Sequence, residues 1–161
     1  MGGYGSAMGR SNDKCYRDSG GHKVKDKNSI DVAEYYIDQG YTVVFLQEKP
    51  GQKRADLVVR PNEYSRSGSF RVEVKGLQTM DPAGVDKKIR TAFEQINADV
   101  DKYPPHLRQP GKVIIYSRHS KDIPEEKVRQ AMYEGFLMAQ RKGKITGKVE
   151  LWINGNIYEF N

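Results

Sequence analysis

Three residues stand out for what they could do together: Asp56, and Glu73 with Lys75 two positions further on. Carboxylates are hard oxygen donors, and Mg2+ is commonly held by one or two of them, with waters and a substrate phosphate completing its shell. A cation so held polarises a phosphoryl oxygen and lowers the pKa of a bound water. A nearby ammonium can orient that water or meet charge that develops on the phosphate. The set therefore suits hydrolysis of a phosphodiester. Its spacing fits a strand, because residues two apart share a face, with Cβ atoms ~6.5–7 Å apart. A Glu-x-Lys step also serves as a plain ion pair on a solvated sheet face, so its surroundings decide between the two.

Those surroundings read as paired strands. Phe70, Val72 and Val74 alternate with Arg71, Glu73 and Lys75, so the apolar set anchors a core and the charged set takes the open face. Ala55-Asp56-Leu57-Val58-Val59 reads as the neighbouring strand that brings Asp56 beside Glu73. Ahead of it, Asn28 is a good helix N-cap, Ile30, Ala33, Tyr36 and Ile37 keep helical spacing, and Gly40 closes that helix before a strand from Tyr41 to Leu46. Asp81-Pro82 opens a long helix carrying Ile89, Phe93, Ile96 and Val100, which ends before Pro104-Pro105. Lys112 to Tyr116 holds the run Val-Ile-Ile-Tyr of a strand buried on both faces. Asp122 caps a helix with Pro124 near its start and Val128, Met132, Phe136 and Ala139 on its buried stripe. Asn154-Gly155 between apolar arms, from Val149 to Phe160, signals a hairpin. The order α-β-β-β-α-β-α-β-β implies an α/β (α+β) fold, a mixed central sheet flanked by helices.

The chain has 161 residues, which favours one domain with a core of its own. Residues 1–27, rich in Gly, Ser and charge, read as a flexible basic leader, with the folded domain at 28–161. Lys and Arg number 27 against 21 acids, a formal charge of +6 that suits a nucleic acid or an acidic protein inhibitor. The one cysteine, Cys15, excludes an internal disulfide and a cysteine-built zinc site. No apolar run is long enough to span a membrane, and the N-terminus has no signal-peptide core.

Asp56 and Glu73-x-Lys75, preceded by a helix and a strand, resemble the PD-(D/E)xK nuclease superfamily. The likeness covers residues 28 to about 142 and leaves the final hairpin as an addition. Ala55 stands where the motif's name has Pro, a position that varies in the superfamily. The resemblance implies Asp56 and Glu73 as metal ligands, with Mg2+ foremost and Mn2+ or Zn2+ as alternatives, and Lys75 as the residue that positions water or steadies charge. It implies a first-helix acid, Glu34, as a third carboxylate and Gln95 as a supporting residue.

A narrower likeness joins residues 28–46, the Ala-Asp-Leu-Val-Val strand and Gln95 to the C-terminal nuclease toxin domains of bacterial contact-dependent growth inhibition proteins. That implies secretion within a larger effector, action in the cytoplasm of a target cell, tRNA as substrate, and a cognate immunity protein as partner. A DNase with the same residues and a non-catalytic binding module that keeps the fold remain alternatives.

Lys87, Lys88 and Arg90 form a basic cluster that could clamp substrate backbone or line a solvated helix face. Gln95 lies two turns after Lys88 on one flank. Tyr64, Tyr103 and Tyr116 are stacking candidates. His106 and His119 read as loop and strand-end residues, and His22 falls in the leader.

Overall fold

A computed structural model describes residues 16–47, 54–64, 67–77, 81–117 and 123–161. Its elements are α1 (Lys27–Asp38), β1 (Thr42–Phe45), β2 (Leu57–Arg60), β3 (Phe70–Gly76), α2 (Pro82–Val100), a short 3-10 turn (Pro105–Leu107), β4 (Gly111–Ser117), α3 (Glu125–Arg141), β5 (Lys148–Ile153) and β6 (Asn156–Phe160). Apart from the 3-10 turn, this is the order read from the sequence. The six strands form one mixed sheet in sequence order. Strands β1, β2 and β3 pair antiparallel, β3, β4 and β5 parallel, and β6 returns antiparallel on β5.

The connections explain the layering. Parallel neighbours need crossovers, and α2 and α3 supply them. Crossovers of one hand that step the same way along a sheet fall on the same face. Accordingly α2 and α3 share a core with Val113, Ile115, Val149, Leu151 and Ile153. The other face carries α1, packed on Val43, Phe45, Leu57, Val59, Val72, Val74, Ile114 and Trp152. Strand β4 therefore buries Val113, Ile114 and Ile115 completely, to both sides, as its apolar run implied. The hairpin turn is also as read: Asn154 (φ 51°) and Gly155 (φ 78°) are both left-handed, which a two-residue turn of matching twist requires.

Two expectations change at the N-terminal side. Helix α1 is capped by Asp26, whose side chain accepts the Asn28 N–H, and Asn28 lies inside the helix. The leader is also shorter than read, because residues 16–26 pack on the sheet. Tyr16 is buried against the Phe45 ring, with centroids 5.6 Å apart, and its hydroxyl donates to Glu34. Ser19 N–H donates to Phe45 O, and Arg17 bridges Lys23. A single buried aromatic is enough to anchor such a stretch, and polar composition concealed it. Cys15, His119 and Asp122 lie outside the described residues.

Helices α2 and α3 are locked by a buried charge. Asp86, 1% exposed, accepts from Arg90 Nε at 3.0 Å and from Lys142 Nζ at 2.5 Å. Burial by itself pushes the Asp86 carboxyl up, but the hydrogen bonds from Arg90 and Lys142 outweigh it and hold it below its ordinary value. The backbones close in where Gly135 meets Val85, since a Cβ there would lie 2.5 Å from Val85 Cβ.

Two outcomes follow for stability. Tyr16→Ala should cost about 3 kcal/mol in denaturant unfolding, the scale of truncating a buried aromatic; a passive leader would show no change. Asp86→Asn should lower Tm at neutral pH. Because the folded Asp86 pKa lies below the unfolded one, its stabilisation is present above pH ~4 and is lost as pH falls through the folded value. The Tm gap between wild type and Asp86→Asn should therefore narrow below pH ~4.

Candidate active site

Strand β3 carries the motif, and its alternation holds. Phe70, Val72 and Val74 pack in the α1-side core, which turns Arg71, Glu73 and Lys75 to the α2 side. That side is not solvent. Glu73 is 2% and Arg71 8% exposed, because α2 lies over them as the crossover to β4. A charged row under a helix needs compensation. Lys75 Nζ meets Glu73 Oε2 at 3.1 Å. Arg71 is ion-paired with the buried Asp99 of α2, and Arg54 Nε lies 3.9 Å from the same carboxylate.

Asp56 reaches the motif through an irregular step. Leu57 pairs with Val72, yet the Asp56 N–H also bonds to Val72 O. Ala55 packs in the α2-side core and Leu57 in the α1-side core, although simple alternation would give them one face. The chain thus turns over at Asp56, as it does at a bulge. Its carboxylate lies along the sheet, and Oδ2 accepts the Val74 N–H at 2.9 Å. Asp56 is thereby fixed to the residue between Glu73 and Lys75. It also lines a cavity of about 480 Å3 with Asp18, His22, Lys25, Asp26, Ser29 and Gln47. His22, assigned to the leader by composition, is therefore near Asp56; the buried Tyr16 was the one available signal that this stretch folds back.

Helix α2 sorts the remaining candidates. At ~100° per residue, Lys88, Gln95 and Asp99 fall within about 40° of one another, while Arg90 lies about 140° or more away. Arg90 faces Asp86 and the α3 side, where its guanidinium is bidentate on the carboxylate. The basic cluster is accordingly divided: Arg90 serves the helix pair, Lys88 shares the motif flank, and Lys87 is exposed. The Arg71–Asp99 pair sets the register of α2 on β3. One turn back from Asp99 is Gln95, a step of ~6 Å, and two residues on from Arg71 is Glu73, ~6.6 Å. Gln95 is thereby carried alongside Glu73. Its Oε1 is buried with no hydrogen-bond partner among the described residues.

Glu34 lies on α1, across the sheet, and accepts the Tyr16 hydroxyl at 3.0 Å. At the end of the motif strand Asn28 of α1 approaches closely, its Nδ2 lying 3.3 Å from where a Gly76 Cβ would stand, and Asp31 of α1 accepts the Tyr116 hydroxyl. That bond and the Trp152 ring occupy Tyr116, whereas Tyr64 and Tyr103 are exposed.

The donor set fits a hard divalent cation. Asp56, just ahead of β2, and Glu73 on β3 offer carboxylates, and the orphaned Gln95 oxygen of α2 offers a neutral donor. Among the described residues no three His, Cys, Asp or Glu side chains converge as an all-protein metal cage. Two carboxylates with waters need none.

The Glu73–Lys75 pair is testable without any substrate. In a double-mutant cycle of Glu73→Gln and Lys75→Met, unfolding free energies should show a coupling of about 1–2 kcal/mol, as for contacting charged partners; additive losses would mean the contact carries nothing. Compared with family models, curated proteins and solved structures, the chain gives no significant match.

Proposed function

We propose that the chain is a metal-dependent endonuclease of PD-(D/E)xK type that cuts RNA, with tRNA as its substrate. The observation that carries this reading is the Asp56 carboxylate bonded to Val74 N–H, between Glu73 and Lys75, which pair at 3.1 Å. Asp56 and Glu73 would hold a Mg2+ or Mn2+ ion, which oxygen donors favour over Zn2+. The bound ion supplies polarisation of the phosphate and a water of lowered pKa. Lys75 directs its ammonium to the place where phosphate charge develops, and the pair with Glu73 fixes its position beforehand. Gln95 offers an acceptor that orients the attacking water.

RNA is favoured over DNA by exposed aromatics able to stack on unpaired bases, and among the described residues no separate element is built for reading a duplex groove. The toxin likeness adds tRNA among RNAs, delivery as part of a larger secreted effector into a target-cell cytoplasm, and an immunity protein. The charge of +6 suits an acidic inhibitor that associates quickly. No helix of the described residues is long and apolar enough to cross a membrane.

Purified chain incubated with total tRNA and Mg2+ should cut at one or two positions, with rates that fall as salt rises. Asp56→Asn and Glu73→Gln should each lower the rate about 10²-fold or more in protein whose circular dichroism shows that it still folds at the assay temperature. EDTA should stop cleavage, and Mg2+ should restore it. Plasmid degraded while tRNA stays whole would replace the RNA reading with a DNase; full activity in EDTA or in either variant would overturn the site.

A further inference from the structure

A second cleft, of about 660 Å3, lies where β2 and β3 meet the segment after α2. Its polar walls include Arg60, Ser69, Arg71, Tyr103, Arg108 and Gln109. Four of these side chains hold a buried polar atom with no hydrogen-bond partner among the described residues: Arg60 Nε, Ser69 Oγ, Arg71 Nε and Gln109 Oε1. Ser69 and Arg71 are 2% and 8% exposed as whole residues. A buried donor without an acceptor costs about 1–3 kcal/mol, and several around one cleft mark a place that a ligand completes.

The donors define the ligand. Two guanidinium Nε–H groups and a hydroxyl can all donate to an oxyanion with several acceptors. Guanidinium forks match phosphate geometry. The charge balance is positive. Asp99 offsets Arg71 and lies near Arg54, and Asp101 lies 3.7 Å from Arg108, while Arg60 has no ion pair among the described residues. Gln109 Oε1 is an acceptor, which a phosphate cannot satisfy but a ribose hydroxyl can. Tyr103, 45% exposed, stands at the rim with Arg71 5.9 Å from its ring centre and offers a stacking face to a base. Arg71 also shares its face of β3 with Glu73, two residues and ~6.6 Å away, a distance that one nucleotide's backbone spans.

We propose that this cleft is a nucleotide subsite, in which Arg60, Arg71 and Ser69 hold the RNA backbone phosphate next to the one presented to Asp56 and Glu73, and Gln109 takes the ribose hydroxyl. This rests on the nuclease reading for its neighbour, but binding tests it apart from cleavage. The probe is a short fluorescein-labelled single-stranded RNA, titrated with the full chain in EDTA and followed by anisotropy across salt concentrations. Arg60→Gln should weaken binding roughly tenfold and reduce the log–log salt slope by about 0.7, one contact to a single strand. Arg60→Lys should keep the slope and lose part of the affinity. Ser69→Ala should bind more weakly, Gln109→Ala should narrow the preference for RNA over the DNA of the same sequence, and the α3 control Lys127→Gln should match wild type. Thermal unfolding checks each variant; should Arg60→Gln not fold, Arg60→Lys and Ser69→Ala carry the test. Wild-type affinity in Arg60→Lys and Ser69→Ala, or equal competition by polyglutamate, which would signal an acidic protein as occupant, overturns the subsite. RNA held through Arg60 but never cut upholds the subsite and sinks the nuclease, whereas Glu73-dependent cutting that Arg60→Gln and Ser69→Ala leave untouched does the reverse.

Discussion

Burying the charged row of strand β3 is the constraint on which the rest of this structure turns. Arg71 and Glu73 sit in the middle of a sheet, beneath a helix, where an unpaired charge costs several kcal/mol. The helix above answers with Asp99 for Arg71, and the strand answers for Glu73 with Lys75. These pairs fix the register of α2 on β3 and, through it, where Gln95 falls. An apolar interface could slide by part of a turn at modest cost, but a paired buried charge cannot.

The same constraint separates two kinds of charge on α2. Asp86 and Arg90 look outward along the chain as a basic and acidic mixture, yet with Lys142 they tie α2 to α3. Lys88, Gln95 and Asp99 lie on the opposite flank, toward the motif. The crossover helix is thus held on one side by a structural ion cluster and left on the other to serve the strand. The α1 face solves a comparable problem differently. Lys112 meets Glu150 at 3.0 Å and lies over the Tyr36 and Phe70 rings, so its charge is shared between a carboxylate and aromatic faces. Burial, and then the Glu150 charge, pushes the Tyr36 hydroxyl far above its usual range.

The geometry at Asp56 shows how a residue remote in sequence is tied to β3. Asp56 is about a strand and a loop away from Glu73 in sequence, and regular pairing would leave its carboxylate on one face of the sheet. Turning the chain over at that residue lets the side chain lie along β3 and take a backbone N–H as a hydrogen-bond partner. Such a bond holds a carboxylate in place without spending another side chain on it.

What the sequence determined by itself was everything governed by period and local chemistry. The two-residue alternation of Phe70–Lys75, the 3.6-residue stripes of the helices, the apolar run of β4 and Asn154-Gly155 gave the element order and the hairpin, because those signals act within a few residues. The two-residue step from Glu73 to Lys75 likewise implied a shared strand face, where the two side chains pair. Only tertiary structure decided which charges are buried and with whom. Arg71 and Glu73 look like a solvent face until a crossover helix covers them; Arg90 looks like a substrate clamp until Asp86 takes it; Glu34 accepts the Tyr16 hydroxyl. The order of residues 16–26 and the cleft around Arg60 and Ser69 arise in the same way. Each depends on segments far apart in the chain meeting in space, and no local pattern encodes the partner that a side chain will find.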